Sequence, residues 1–157
     1  MTSNVNELGE HPRMIDFCFY WLPPLLLTAG ILLMAGDLGS VAKFRIPVII
    51  LEYLLPSYSR KEILELYFWF RKAGHFLAYA ALYYAYARAW RWHMRQSRLK
   101  AVFLALAICL LISAGDESRQ ALHPSRTGSP RDVVLDMSGA FTAALVGFPF
   151  LRQEDQG

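Results

Sequence analysis

A chain of 157 residues with a net charge of +3 suits one compact unit and carries too little basic charge for a nucleic-acid face, and it shows no stripe of basic and aromatic residues. Its apolar share of 55% exceeds the roughly 45–50% typical of soluble domains. Cys18 and Cys109 both lie inside apolar runs, which offers neither a disulfide framework nor a cysteine metal motif and leaves them as small core residues.

Residues 1–13 form a polar tail, expected to be disordered. The apolar run Phe17 to Gly36 holds 20 uncharged residues, enough to cross a hydrocarbon core of about 30 Å at about 1.5 Å per residue. It exceeds the h-region of a signal peptide, about 7–15 residues, and reads as an uncleaved first span from Met14 to Ala35. Pro23 and Pro24 remove two backbone donors in its middle and predict a kink. The connection from Gly36 to Glu65 contains Ile46-Pro47-Val48-Ile49-Ile50-Leu51, too short to span and better suited to an interfacial or re-entrant segment. Ser59, three residues before Glu62, marks a helix cap.

Three further apolar blocks, Ala73 to Ala87, Ala101 to Gly115 and Met137 to Leu151, have 15 residues each. Each reaches spanning length when its polar flanks are included, giving Tyr67 to Ala87, Arg98 to Gln120 and Asp132 to Leu151. The expected fold is therefore an all-α integral membrane protein. Four transmembrane helices fill residues 14–151, with a short interfacial segment after the first and a tail at 152–157. Before the last span, Ser129 as N-cap, Pro130 at the first position and Asp132 resemble a capping box. Gly139, Ala143 and Gly147 recur every four residues and predict close approach of another helix. The linker Arg88 to Lys100 carries five Lys/Arg and no acid, which places it and both termini in the cytoplasm.

That orientation brings polar residues from three spans to the outer face. Lys72, His75 and Tyr79 share one side of the second span; Asp116, Glu117 and Gln120 end the third; Asp132 and Asp136 begin the fourth, after Arg126 in the loop. Ionisable groups at such depth are expensive and point to a site. His75 can act as acid, base or nucleophile. Asp116 or Glu117 can orient it or bind a divalent cation. Lys72 and Arg126 can hold an anion, and Tyr79, Gln120 and Asp136 complete the candidate ligand-binding set. No two histidines sit at ligand spacing and no third firm ligand joins the carboxylates, so neither a metal nor a cofactor is expected. A structural reading stands beside the functional one, because Lys72, Arg119, Arg126 and Arg131 balance Asp116, Glu117, Asp132 and Asp136. On that reading Asp132 is a cap, the tyrosines are packing with cross-helix hydrogen bonds, and His123 is a turn residue. His11 and His93 read as solvent or interface residues.

Across residues 65 to 150 the ordered positions Lys72, His75, Tyr79, Asp116-Glu117-x-x-Gln120, Arg126, Ser129, Asp132, Asp136 and Gly139 resemble the VanZ-like membrane proteins. Met137-Ser138 stands before Gly139 where that family more commonly has asparagine and glycine. The resemblance implies a small polytopic protein of the bacterial cytoplasmic membrane, in a family whose namesake is linked to reduced susceptibility to teicoplanin. It carries no catalytic assignment. The expected partners are membrane lipids or a lipid-linked envelope precursor, with no nucleic acid. Three functions remain open. One is an outward-facing pocket binding an anionic lipid or envelope ligand. Another is an enzyme moving a phosphoryl or acyl group on a lipid through His75. The third is a structural partner whose charges lock helices together.

Overall fold

The computed structural model describes residues 14–35, 45–94, 97–122 and 128–147. They form five α-helices: α1 (Met14–Ala35), α2 (Arg45–Leu54), α3 (Arg60–His93), α4 (Arg98–Ala121) and α5 (Pro130–Gly147). The all-α expectation holds. Two of the five, α1 and α4, are long and apolar enough to cross a membrane. Neither resembles a soluble core helix: only 6% of the apolar window of α1 and 28% of that of α4 are buried. Phe19, Leu26, Leu33, Phe103 and Leu111 all point outward. The short apolar segment after α1 is helical as α2. The tails at 1–13 and 152–157, Arg126 and His123 lie outside the described residues.

The second expected span is part of a much longer helix. Ser59 caps α3 and forms the capping box with Glu62: the Glu62 amide donates to Ser59 Oγ, while Glu62 Oε2 accepts from the Ser59 amide at 2.8 Å. These bonds hold the Glu62 carboxyl below its ordinary range. No proline interrupts the next 34 residues, so the helix runs from the cap to Met94 without a break.

Contacts along the helices fix their directions. Trp21 meets Trp90 and Phe17 meets Trp92, so α1 and α3 are antiparallel. Lys72 meets Asp132 and His75 meets Asp136, so α5 runs parallel to α3. Ser113 meets Asp136 and Glu117 meets Ser129, so α4 opposes α5. The result is an up-down-up-down bundle in which α3 touches every other helix. Its core is Tyr79, Leu82, Tyr83 and Tyr86 against Ala105, Cys109, Ala140 and Ala144.

Helix α1 continues through Pro23 and Pro24. Pro23 has no N–H for the carbonyl of Phe19, four residues earlier. Arg88 from α3 fills the gap, its Nη2 donating to Phe19 O at 2.8 Å while its guanidinium lies 4.7 Å from the Phe19 ring. At the other end, Arg119 donates to Leu32 O at 3.1 Å, one of the last four carbonyls of α1 that no helical amide can reach. Arg88 and Arg119 thus serve backbone carbonyls of α1 rather than acids.

Glycine spacing has one consequence and not the other. A Cβ on Gly139 would collide with the Phe76 carbonyl, so α5 lies backbone-to-backbone on α3 there. At Gly147 an added Cβ meets nothing within 4 Å, and the close approach expected from the four-residue repeat does not extend that far.

Candidate functional site

The end of the bundle that holds Lys72, the close of α4 and the start of α5 collects the polar residues. Asp136 is its centre. It is fully buried, and it is reached from two sides. Ser113 Oγ donates to its Oδ2 at 2.7 Å, and its Oδ1 faces His75 Nδ1 at 3.1 Å. The carboxylate accepts, so the imidazole carries a proton on Nδ1, and in the neutral ring Nε2 keeps its lone pair. The close contact at Gly139, one turn further along α5, sets the depth at which Asp136 meets α3. Ser113 belongs to the stripe of α4 that also bears Glu117, and that spacing is the sequence signal for its role.

Asp116 and Glu117 flank the same imidazole. One ligand atom from each of His75, Asp116 and Glu117 can be chosen so that all three lie within 4.8 Å of one another. Asp116 is 3% exposed and Glu117 5%. Gln120 Nε2 donates to Asp116 Oδ2 at 3.0 Å. Glu117 Oε2 accepts the Ser129 amide at 2.7 Å, while its Oε1 is buried with no hydrogen-bond partner. The amide reaches Glu117 because Gly128 lets the chain press against the last turn of α4, where a Cβ would strike the Glu117 carbonyl and sit 2.7 Å from the Ala121 amide.

The start of α5 differs from the expected capping box. Ser129 Oγ accepts from the Arg131 amide at 3.3 Å, but the acid that returns to the Ser129 amide is Glu117 of α4. Asp132 is released from that task and pairs with Lys72 of α3. Lys72 and Asp132 keep 18% and 15% side-chain exposure, and His75 keeps 24%. The cluster therefore opens to the outside at Lys72 and His75.

Seven of the eight candidate site residues lie among the described residues, and their roles divide. His75, Asp116, Glu117 and Asp136 meet. Lys72 joins them through Asp132. Gln120 turns onto Asp116. Tyr79 is 1% exposed, with its buried hydroxyl beside Ser113, Asp136 and Asp116. The group that orients His75 by a hydrogen bond is Asp136, where Asp116 or Glu117 was expected. Cross-helix bonding of the tyrosines holds for Tyr86, which lies 3.0 Å from Thr28 Oγ1, and does not hold for Tyr83.

Nearer the start of α3 a separate apolar groove lies against α2. Leu51, Leu54, Leu55, Tyr58, Leu66, Trp69 and Phe70 line it, with Glu62 and Glu65 at its edge. Chemically, the end of the bundle offers an oriented imidazole, two buried carboxylates and a partly exposed ammonium.

A family model described as VanZ/LLP1 matches residues 25–151, which takes in the whole of this cluster. No curated protein and no solved structure matches the chain.

Proposed function

The chain belongs to the VanZ/LLP1 family, and from that premise we propose a multi-pass protein of the bacterial cytoplasmic membrane. Its polar cluster takes the anionic headgroup of a membrane lipid or of a lipid-linked envelope precursor. Four spans carry it: α1, α4, α5 and the part of α3 from Tyr67 to Ala87. The 34 residues of α3 reach about 50 Å at about 1.5 Å each, so its first turns stand beyond the hydrocarbon core. The basic linker between α3 and α4 lies in the cytoplasm together with both termini, and the cluster lies on the opposite face. The aromatic group Phe17, Tyr20, Trp21, Trp90 and Trp92 marks the cytoplasmic interface, where amphipathic rings collect.

The observation that carries the reading is the meeting of His75, Asp116, Glu117 and Asp136 from three helices beside a partly exposed Lys72. Such groups are costly at membrane depth unless they are used. The Lys72 ammonium has three donors, of which Asp132 engages one, leaving others for a phosphate oxygen. The apolar groove at the start of α3 supplies a bed for an acyl chain. Altered susceptibility to a lipid-tailed glycopeptide would follow from the same binding.

The test uses the full chain in detergent, with phosphatidylglycerol and phosphatidylcholine competing and bound lipid read by native mass spectrometry. Preferential retention of phosphatidylglycerol is expected, with Lys72→Gln weakening it about tenfold, the worth of one charge-assisted hydrogen bond. Equal retention of both lipids overturns the reading.

A second reading rests on the Ser113–Asp136–His75 chain, the arrangement that orients a general base. In it the protein transfers or hydrolyses a phosphoryl or acyl group on a lipid, with His75 as base or nucleophile and Lys72 on the substrate anion. Comparison of the lipids of cells carrying Glu117→Gln with those carrying the natural chain separates the two. A changed lipid species supports chemistry; unchanged lipids with altered antibiotic binding support the binding role.

A further inference from the structure

We propose that His75, Asp116 and Glu117 bind one divalent transition-metal cation, with Zn²⁺ and Mn²⁺ the fitting occupants. The inference deepens the pocket reading above and rests on it for a role: the cation would receive the anionic oxygen of the headgroup.

One imidazole nitrogen and two carboxylate oxygens come within 4.8 Å of one another. Metal–nitrogen and metal–oxygen bonds of about 2.0–2.2 Å set tetrahedral neighbours about 3.4 Å apart. The cluster therefore closes on an ion by side-chain shifts of about an ångström, within the reach of χ rotations. Imidazole and carboxylate together suit the divalent transition metals better than Ca²⁺ or Mg²⁺.

Glu117 is 5% exposed, and its Oε1 is buried with no hydrogen-bond partner. Its other oxygen is held by the Ser129 amide at 2.7 Å. A buried carboxylate oxygen without a donor is expensive, and a cation beside His75 satisfies it. Metal-bound histidines almost always donate their other ring N–H to a carboxylate, which fixes the tautomer. Asp136 accepts from His75 Nδ1 at 3.1 Å and is itself fixed by Ser113 at 2.7 Å. Nε2 is left as the metal-binding nitrogen.

Three protein ligands leave coordination positions for water or for an oxygen of the ligand, the pattern of open metal sites. Access is from the His75 side, where the ring keeps 24% exposure. The ligands are scattered in sequence, two neighbours on α4 and one residue 41 positions earlier on α3.

The test uses the full chain in detergent, stripped with a chelator and dialysed against Zn²⁺ alone, with bound metal measured by mass spectrometry. One equivalent per chain is expected. Glu117→Gln and His75→Asn are expected to retain less than a tenth of it, and His93→Asn, at the opposite end of the bundle, to retain it all. Absence of stoichiometric metal, or equal retention by every variant, overturns the proposal. Co²⁺ added to the unaltered chain gives a reading that no variant's folding can confuse. Ligand-field bands without a thiolate charge-transfer band support the site, and a thiolate band or no bands overturns it. No lipid is present in either measurement. Loss of metal binding with anionic lipid still retained removes this inference alone, and metal binding without lipid preference removes the pocket reading alone.

Discussion

Lys72 and Asp132 show what a single pairing contributes at this depth. Each is more than four-fifths buried by its side chain, so neither can shed its partner into bulk water. Lys72→Met leaves Asp132 with a stranded charge and should cost up to about 3 kcal/mol, toward the low end for a broken buried pair because some exposure remains. The exchange Lys72→Asp with Asp132→Lys should recover most of that in thermal unfolding, and equal damage in the single and double variants would refute the pairing. The tyrosines give a sharper contrast. Thr28 Oγ1 donates to Pro24 O at 2.8 Å, so the Tyr86 hydroxyl is the donor in its bond to Thr28. Tyr86→Phe should lose about 1 kcal/mol, the usual net worth of such a bond. Tyr83→Phe removes a buried hydroxyl that has no hydrogen bond, so it should be neutral or stabilising by the same measure. At this scale the sequence was informative about which residues matter and poor about their partners. Lys72, His75, Asp116, Glu117 and Asp136 stand out because charged groups in apolar runs are conspicuous. That Asp136 rather than Asp116 faces His75, or that Arg88 reaches a carbonyl freed by Pro23, depends on how far each helix is rotated about its axis. Periodicity fixes the shared face of one helix but not its rotation against the next.

Helix boundaries were the most legible part of the chain. The expected Met14 to Ala35 span is α1, and the third expected span falls one residue short of α4. Caps and breakers are local chemistry, and local chemistry is written in adjacent residues. The start of α3 shows the limit. Its capping box is visible at Ser59 and Glu62, yet the span is expected only from Tyr67, because Tyr67 to Ala87 already reaches spanning length and Arg60, Lys61, Glu62 and Glu65 stand before it. A helix continues through charged residues when nothing breaks its backbone, and hydropathy does not register that. The α3–α5 contact is where an element can be tested. Gly139 permits the two backbones to touch, and no side chain can move aside to admit a Cβ against a carbonyl. Gly139→Ala should cost about 1–3 kcal/mol, the range for overpacking. The same change at Gly147, where a Cβ meets nothing, should fall within about 0.5 kcal/mol. Equal effects at both positions, measured by thermal unfolding in detergent, would mean that α5 does not lie on α3 as described.

The bundle as a whole has two unlike ends. One gathers the carboxylates, His75 and Lys72; the other gathers Trp21, Trp90, Trp92, Arg88 and the start of the basic linker. This separation of the polar residues was legible before any coordinates, because alternating spans must return the end of one helix to the depth at which the next begins. The proposed sidedness makes a prediction at this scale. In a chain with Cys18 and Cys109 changed to serine, Leu122→Cys should react with a membrane-impermeant maleimide in intact cells. His93→Cys should react only after permeabilisation, and the reverse pattern would invert the topology. Both positions are exposed. Sidedness decides where a ligand comes from, but the account rests on the cluster itself. The most direct measurement is the ¹⁵N NMR spectrum of histidine-labelled protein, with His75 assigned by substitution. The account predicts a ring with Nδ1 protonated whose signals move in Asp136→Asn and again in Glu117→Gln, since α5 and α4 both face it. His75 signals that neither substitution moves would mean that the three helices do not bring these residues together.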